Sequence, residues 1–437
     1  MSSDLPAVSI GVDFGTSNTV VALASADGAV ETVRFEHGGA KLTVYASALC
    51  FYQEPSRRGL PAQAEGGPWA FERLQEHSGA LRFLQSFKTF AASRNFQSTQ
   101  IFGQRYQFED MLATFLRTLT RHAGTSFDLA GARVAIGRPV RFAGAAPDEV
   151  LAMQRYRDAF ARLGALGAHY IYEPVGAAFS FARRLERDAT VLVADFGGGT
   201  SDFSLIRFSR RAGALSAVPL GHSGVGVAGD TFDYRIIDRV IAPRLGKGGA
   251  YRSFGKVLPL PNHYYTKLAR WHELALMKGS ADLRELRELA RSALDPEPLH
   301  DFIELVEHDL GFALYRAVSA AKVALSSSDD VEFRFGDGGI DIRATLSRAD
   351  FEGWIGEDLA RIGAAVDQVF ATSGIGPRDV DKVFLTGGTS FVPAVQRLFR
   401  QRFGDEKLTS ADQFESIAHG LALIGLTQNP DQWAVAA

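Results

Sequence analysis

Cysteine is almost absent from this chain: Cys50 is alone among 437 residues. A single thiol excludes an internal disulfide framework and any zinc site built from several cysteines. In a β-prone segment it reads as a small buried hydrophobe rather than a nucleophile. Long apolar runs are missing as well, so no stretch has the roughly 18 consecutive apolar residues of a membrane-spanning helix. Residues Met1 to Pro6 carry neither a basic n-region nor an apolar h-region, and no secretory signal is expected. Nor does charge of one sign dominate. A formal net charge of −3 gives no reason to expect nucleic acid or an anionic membrane as partner. What remains is an ordinary globular composition, 46% apolar and 22% charged, on a chain long enough for two or more domains. A cytoplasmic protein is expected.

The most informative stretch is Thr190-Val-Leu-Val-Ala-Asp195-Phe-Gly197-Gly198-Gly199-Thr200-Ser-Asp202 and the β-prone run after it. The pattern reads as strand, tight turn, strand. Glycines in such a turn let backbone N–H groups approach a ligand, because no Cβ intervenes. Converging N–H groups make a concavity for anions, phosphate above all. Asp195 at the strand end and Asp202 just beyond are placed to handle Mg²⁺ or its waters, which prefer hard oxygen donors. An ordinary glycine hairpin with two turn aspartates shows the same pattern. A second copy weighs against that plain reading: Val8-Ser-Ile-Gly-Val-Asp13-Phe14-Gly15-Thr16-Ser17-Asn18-Thr-Val-Val repeats the plan near the N-terminus. An internal repeat of this kind points to two related lobes.

Both loops resemble those of the actin/hexokinase/Hsp70 superfamily of ATPases, and most closely the two phosphate loops of Hsp70 proteins. Further segments carry the same resemblance. In the segment Leu84 to Thr89, Lys88 matches a lysine that reaches the phosphates; on its own it reads as a solvated surface charge. The strand Ala132 to Ile136 runs into Arg138-Pro139 where the family has an apolar residue before its proline. Tyr170-Ile-Tyr-Glu173-Pro174-Val-Gly176 reads as a strand end and a helix start at Pro174, and the resemblance gives Glu173 a role with Mg²⁺ waters and the attacking water. A bare helix-capping glutamate is the alternative. Gly224-Val-Gly-Val-Ala-Gly229 fits GxGxxG but lacks the long strand and ribose-binding acid of a dinucleotide site. Gly229-Asp230-Thr-Phe-Asp233 instead resembles a family loop that approaches the nucleotide.

A long helix is expected from Phe302 to Leu325, with Lys322 and Ser326 four apart on one face and similar to the pair that holds adenosine in Hsp70 proteins. Ser319 replaces the family's glutamate one turn earlier. Thr386-Gly387-Gly388-Thr389-Ser390-Phe391 resembles the second adenosine motif, with Phe391 where an arginine stacks on the base. Phe414 replaces a frequent aspartate. His272, followed by Glu273, lacks the second histidine of a zinc-protease helix, and His300 and His308 match no metal spacing. Elsewhere, Val30 to Phe35 and Thr43 to Phe51 read as strands of the first sheet. Phe71 to Phe90 has helical spacing, Phe108 to Thr120 and Asp148 to Leu163 read as helices, and Gly246 to Gly255 reads as a loop.

The resemblance thus implies an α/β, two-lobed actin-like ATPase fold, with duplicated ribonuclease H-like domains and a nucleotide cleft between the lobes. Lobe I is expected over 1–187, closed by a C-terminal helix over 411–430. Lobe II is expected over 188–410, with a helical insertion around 246–310. No peptide-binding domain follows in this chain, which fits a truncated, YegD-like branch of Hsp70 relatives. The implied cofactors are ATP/ADP and Mg²⁺. Lys88, Glu173, Asp195 and Thr200 take the catalytic roles. Asp13, Glu173 and Asp195 take the metal, mostly through water. The nucleotide falls to Gly15, Thr16, Ser17, Asn18, Gly197, Gly198, Gly199, Thr200, Gly229, Asp230, Lys322, Ser326, Gly387, Gly388, Thr389 and Phe391. The implied activity is slow Mg²⁺-dependent hydrolysis of ATP to ADP and phosphate, with lobe closure acting on a client or co-chaperone protein. Two alternatives stay open: an MreB-type actin-like filament protein, and a small-molecule kinase on the same fold.

Overall fold

The computed structural model describes residues 9–54, 62–76, 80–125, 127–144, 146–182, 185, 187–211, 214–270, 273–274, 277–278, 280–410 and 415–433. His272 and Phe414 lie outside these residues. The chain forms two compact units. The first comprises Met1–Ala228, Arg361–Ser390 and Val395–Ala437; the second comprises Gly229–Ala360 and Phe391–Ala394.

Two large sheets build the first unit. In chain order their strands are β1 (Ser9–Phe14), β2 (Asn18–Ala24), β3 (Val30–Thr32), β4 (Arg133–Arg138), β5 (His169–Tyr172), β6 (Ala189–Phe196), β7 (Ser201–Arg211), β8 (Ala214–Val225), β9 (Lys382–Thr386) and β10 (Leu408–Ser410). The first sheet has the order β5-β4-β1-β2-β3 and the second β10-β9-β6-β7-β8. In each, three strands run parallel and the first of them continues into an antiparallel hairpin. The repeat read from two short motifs is therefore a repeat of whole-sheet topology. β1 and β6 are buried at every position, which is why apolar residues dominate both.

Helices close the sheets. The helix α1 (Phe108–His122) covers a core that includes Phe14, Phe87, Phe115 and Tyr156. Asp148 caps the helix α2 (Glu149–Ala161), its side chain accepting from the Leu151 N–H. The strand-to-helix junction at Glu173 starts the helix α3 (Glu173–Ala182), one residue before the expected Pro174. The helix α4 (Ser416–Gly425) ends five residues short of the expected 430, the expected start at 411 lying outside the described residues, and it packs on α3, β1 and β4. Gly176 and Gly420 make that crossing possible: a Cβ on Gly420 would lie 1.7 Å from the Gly176 carbonyl oxygen. Cys50 is buried in a strand as expected, and burial pushes its thiol up to about 12.

Several sequence expectations change. Thr43 to Phe51 is not one strand of the first sheet: Tyr45–Ala46 pairs with β2, but Ala48–Gln53 leaves for a separate three-stranded sheet. The helical spacing of Phe71 to Phe90 holds only for Pro68–Glu76. Ala80–Gln85 instead pairs antiparallel with Ala48–Gln53, a tertiary contact that overrides local spacing, and Phe87–Phe90 is a 3₁₀ turn.

Others lie in the second unit. The long helix expected from Phe302 to Leu325 is two helices, Glu297–Glu307 and Gly311–Ala324. Asp309 sits at φ 55 after the first, and the Leu310 N–H donates to the Leu305 carbonyl at 3.0 Å. This is a Schellman stop with aspartate where glycine is usual, so the sequence hid it. The expected loop over Gly246 to Gly255 contains a strand, Ala250–Ser253, paired with Lys256–Pro259. His308 pairs with Glu304 one helical turn away. No described helix is long and apolar enough to cross a membrane.

Candidate functional site

The chemistry-bearing residues of the first unit stand where its parallel strands end, the end at which open α/β sheets bind ligands. Asp13 is the penultimate residue of β1, Asp195 that of β6, and Glu173 follows β5 directly. The two hairpin turns are built alike. The Gly15 N–H donates to the Asn18 carbonyl at 2.9 Å, and the Gly197 N–H to the Thr200 carbonyl at 2.9 Å. Those two amides therefore close their turns rather than face a ligand. Thr16 and Gly199 bring the loops together, since a Cβ on Gly199 would lie 3.4 Å from Thr16 Oγ1.

Lys88 is the residue whose surroundings differ most from a solvated lysine. Its Nζ donates to Glu173 Oε1 at 2.7 Å, and both side chains are more than nine-tenths buried. The ammonium also lies 5.8 Å from the centre of the Phe14 ring. Burying an ammonium is costly unless it is paired, and Glu173 supplies the pair. Charge in the neighbourhood is unbalanced: Asp13, Glu173, Asp195 and Asp202 are all buried around one lysine. Burial first, then repulsion from Glu173, raises the Asp13 carboxyl to about 8 against the pull of Lys88. Burial raises Asp195 well above the carboxylate range, with Glu173, Asp13 and Asp202 adding to the effect. Carboxyls whose ionisation is disfavoured first by burial and then by their neighbours are a donor set that a divalent cation would ionise and neutralise. Among the described residues, no three His, Cys, Asp or Glu side chains converge closely enough to ligate a metal directly. Buried carboxyls beside one ammonium are oxygen donors of the kind a hard divalent cation takes.

Asp202 has a different job from the one its motif suggested. Its Oδ1 accepts from the Val140 N–H at 2.7 Å and the Arg141 N–H at 3.1 Å. It thereby ties the second phosphate-type loop to the chain after Pro139. Burial raises its carboxyl to about 7, repulsion from Glu173 adds to this, and hydrogen bonds from the Thr200 side chain and the Arg141 amide oppose it.

The arginine before Pro139 is also accounted for. Arg138 folds back, donating to the Pro139 and Val140 carbonyls and to Glu149 at 2.8 Å, with its guanidinium over Phe142 and Tyr172. Two residues that the motifs did not single out brace the loops. Ser47 Oγ donates to the Gly15 carbonyl at 2.7 Å, and Ser201 Oγ to the Val227 carbonyl at 2.6 Å. A lone hydroxyl inside the apolar run Tyr45 to Phe51 was the signal available for Ser47.

Gly387 belongs to the same unit. Its φ of 83 is the left-handed region, and a Cβ there would lie 2.1 Å from the Phe196 carbonyl oxygen, so only glycine lets the end of β9 lie against the loop strand. Ser390 closes this turn by donating to the Gly387 carbonyl through both its N–H and its Oγ. Thr389 is buried beside it and Gly388 is exposed. Asn18 and Gly197 are exposed, with Ser17 and Gly198 half-buried.

In the second unit, Lys322 Nζ donates to Asp233 Oδ2 at 2.9 Å and to the Gly229 carbonyl at 3.2 Å. Gly229–Asp233, read as a loop from the sequence, opens the helix Gly229–Ile236, and Lys322 is in contact with its start. Burial, then repulsion from Asp233, raises Asp230 to about 6, while Lys322 opposes the shift. Ser326 lies past the end of its helix, in a turn where its N–H donates to the Val323 carbonyl. Phe391 exposes 43% of its surface. A ring that open is no core residue.

The chain is similar to known proteins in two respects. The family model described as Hsp70 protein matches residues 309–434, which include Lys322, Ser326 and the Gly387–Phe391 motif. In an alignment 431 positions long that covers 95% of its length, the chain is 23% identical to the chaperone protein DnaK of Thermus thermophilus. The DnaK of a second strain of that organism matches to the same extent. The chain spans 60% of the length of these curated relatives.

Proposed function

We propose that this protein is an Hsp70-type, two-lobed ATPase whose nucleotide-dependent closure acts on a protein partner. The observation that carries the reading is the buried Lys88–Glu173 pair, set among Asp13 and Asp195 at equivalent strand ends of two sheets with the same topology. Duplicated hairpins that differ in sequence, yet close with the same hydrogen bond, suit a pair of phosphate grips. The phosphates fall to Gly15–Asn18 and Gly197–Thr200 of the first unit. The adenosine is assigned to Gly229, Asp230, Lys322, Ser326 and the second adenosine motif Gly387, Gly388, Thr389 and Phe391. In this scheme the lobes divide near residues 187/188 and the cytoplasm is the compartment.

Phosphoryl transfer to water is mostly positioning and electrostatics. Lys88 offsets charge that develops on the transferred group. Glu173 orients and polarises the attacking water, and Thr200 holds the loop edge through Asp202. Mg²⁺, carried on Asp13, Glu173 and Asp195 through its waters, would neutralise the phosphate oxygens. The relatives named above are chaperones, and a client or co-chaperone protein is the partner proposed for this chain.

Single-turnover hydrolysis of ATP in the presence of Mg²⁺ tests the reading. The wild-type protein should turn over slowly, and Lys88→Ala should lower the rate by about 10²-fold or more. Equal rates in the two proteins would remove Lys88 from the chemistry, and no turnover by the wild type would remove the ATPase reading itself.

A further inference from the structure

One polar group beside the site has no use in the hydrolytic scheme. Tyr156, on α2, is fully buried, and among the described residues its hydroxyl has no hydrogen-bond partner. The ring is well seated. It packs against Phe14, Phe108 and Phe142 at centroid distances of 6.2, 6.0 and 5.5 Å. Phe14 is the neighbour of Asp13 and carries the Lys88 ammonium over its face. The charged groups that act on the Tyr156 hydroxyl are Lys88, most strongly, then Glu173, Arg138 and Asp13. A phenylalanine would fill the same aromatic cluster without burying an unpaired hydroxyl, which carries a desolvation cost. Packing therefore accounts for the ring but not for the oxygen.

We propose that Tyr156 is a positioning residue for ATP hydrolysis, its hydroxyl taking over the Lys88 ammonium when Glu173 turns to the attacking water. The inference rests on the ATPase reading. In the structure one Lys88 N–H is held by Glu173 Oε1. A carboxylate that polarises water with that oxygen releases the ammonium, which must then find another acceptor or move. The Tyr156 oxygen is a neutral acceptor within the same buried neighbourhood. Burial keeps its own proton in place, so it adds no charge to the carboxylate cluster. Lys88 then stays aimed at the phosphates while Glu173 is occupied, and the small misplacements that cost rate are avoided.

The test compares wild type, Tyr156→Phe, Lys88→Ala and the double variant by single-turnover ATP hydrolysis, nucleotide Kd and thermal unfolding. Tyr156→Phe should lose about tenfold in rate with Kd unchanged and with Tm unchanged or raised. In the Lys88→Ala background it should cost nothing further, because the hydroxyl acts through the lysine. A Tyr156→Phe protein that hydrolyses ATP at the wild-type rate overturns the inference. So does a rate loss that comes with a lower Tm, or one that repeats in full without Lys88. A wild-type protein that binds ATP without hydrolysing it overturns the ATPase reading as well, and the wild-type trace alone separates the two failures.

Discussion

Replacing Glu173 by glutamine should lower ATP turnover by about 10²-fold or more while leaving the protein folded, the size of effect seen when a positioned acid–base group is removed. Glutamine keeps the shape, and its amide oxygen can still accept from Lys88, so the buried ammonium retains a hydrogen bond. What is lost is the charge that polarises water. The same substitution has a signature in pH. Folded Asp13 binds its proton up to about 8, far above its ordinary carboxyl value, partly because Glu173 repels its charge. The folded protein therefore holds more protons than the unfolded chain between roughly pH 4 and 8, and its stability falls as pH rises through that window. Glu173→Gln removes one source of the shift and should flatten the slope. Stability measured by urea titration at several pH values checks this, and an unchanged slope with unchanged turnover would take Glu173 out of the site.

Gly420→Ala should destabilise the fold by about 3 kcal/mol or more, at the upper end of what overpacking costs. The new methyl would meet the Gly176 oxygen at 1.7 Å, the Gly176 carbonyl carbon at 2.6 Å and the Ser180 nitrogen at 3.1 Å. All three atoms belong to the α3 backbone. No side chain can rotate away, and the two helices must part. Because α3 begins at Glu173, the displacement would reach the site as well. Gly353→Ala is the control: nothing lies within 4 Å of its added Cβ, and alanine at a helical position is favoured by up to about 1 kcal/mol over glycine. Thermal and urea unfolding should move in opposite directions for the two variants. A Gly420→Ala protein as stable as wild type would mean that α4 does not cross α3 as described.

Much of the site was legible in the sequence because its parts are local. A strand end, a glycine turn and an acid at a fixed offset are specified within a few residues, so the chain itself places Asp13, Asp195 and Glu173. The whole-sheet duplication was legible only through those two motifs, since β10 is separated from β6 by about 200 residues of unlike sequence. Roles that depend on distant chain segments were not legible. Asp202 looked like a second cation-handling acid, and only the approach of Val140 and Arg141 shows it holding backbone amides. Lys88 sits on a 3₁₀ turn that follows a strand rather than on the helix its spacing suggested, and its burial against Glu173 comes from residues 85 positions apart. Tyr156 offered no signal at all, because an aromatic on the inner face of a helix is usually only packing.

The central claim is that this chain binds an adenine nucleotide, with phosphates at the paired loops around Lys88. Calorimetric titration of the purified protein with ADP and with ATP, each with Mg²⁺, tests it most directly. The account predicts one saturable site for each nucleotide, weakened when Mg²⁺ is withheld and again in Lys88→Ala. A folded protein that takes up neither nucleotide would contradict it and leave the paired loops without a ligand.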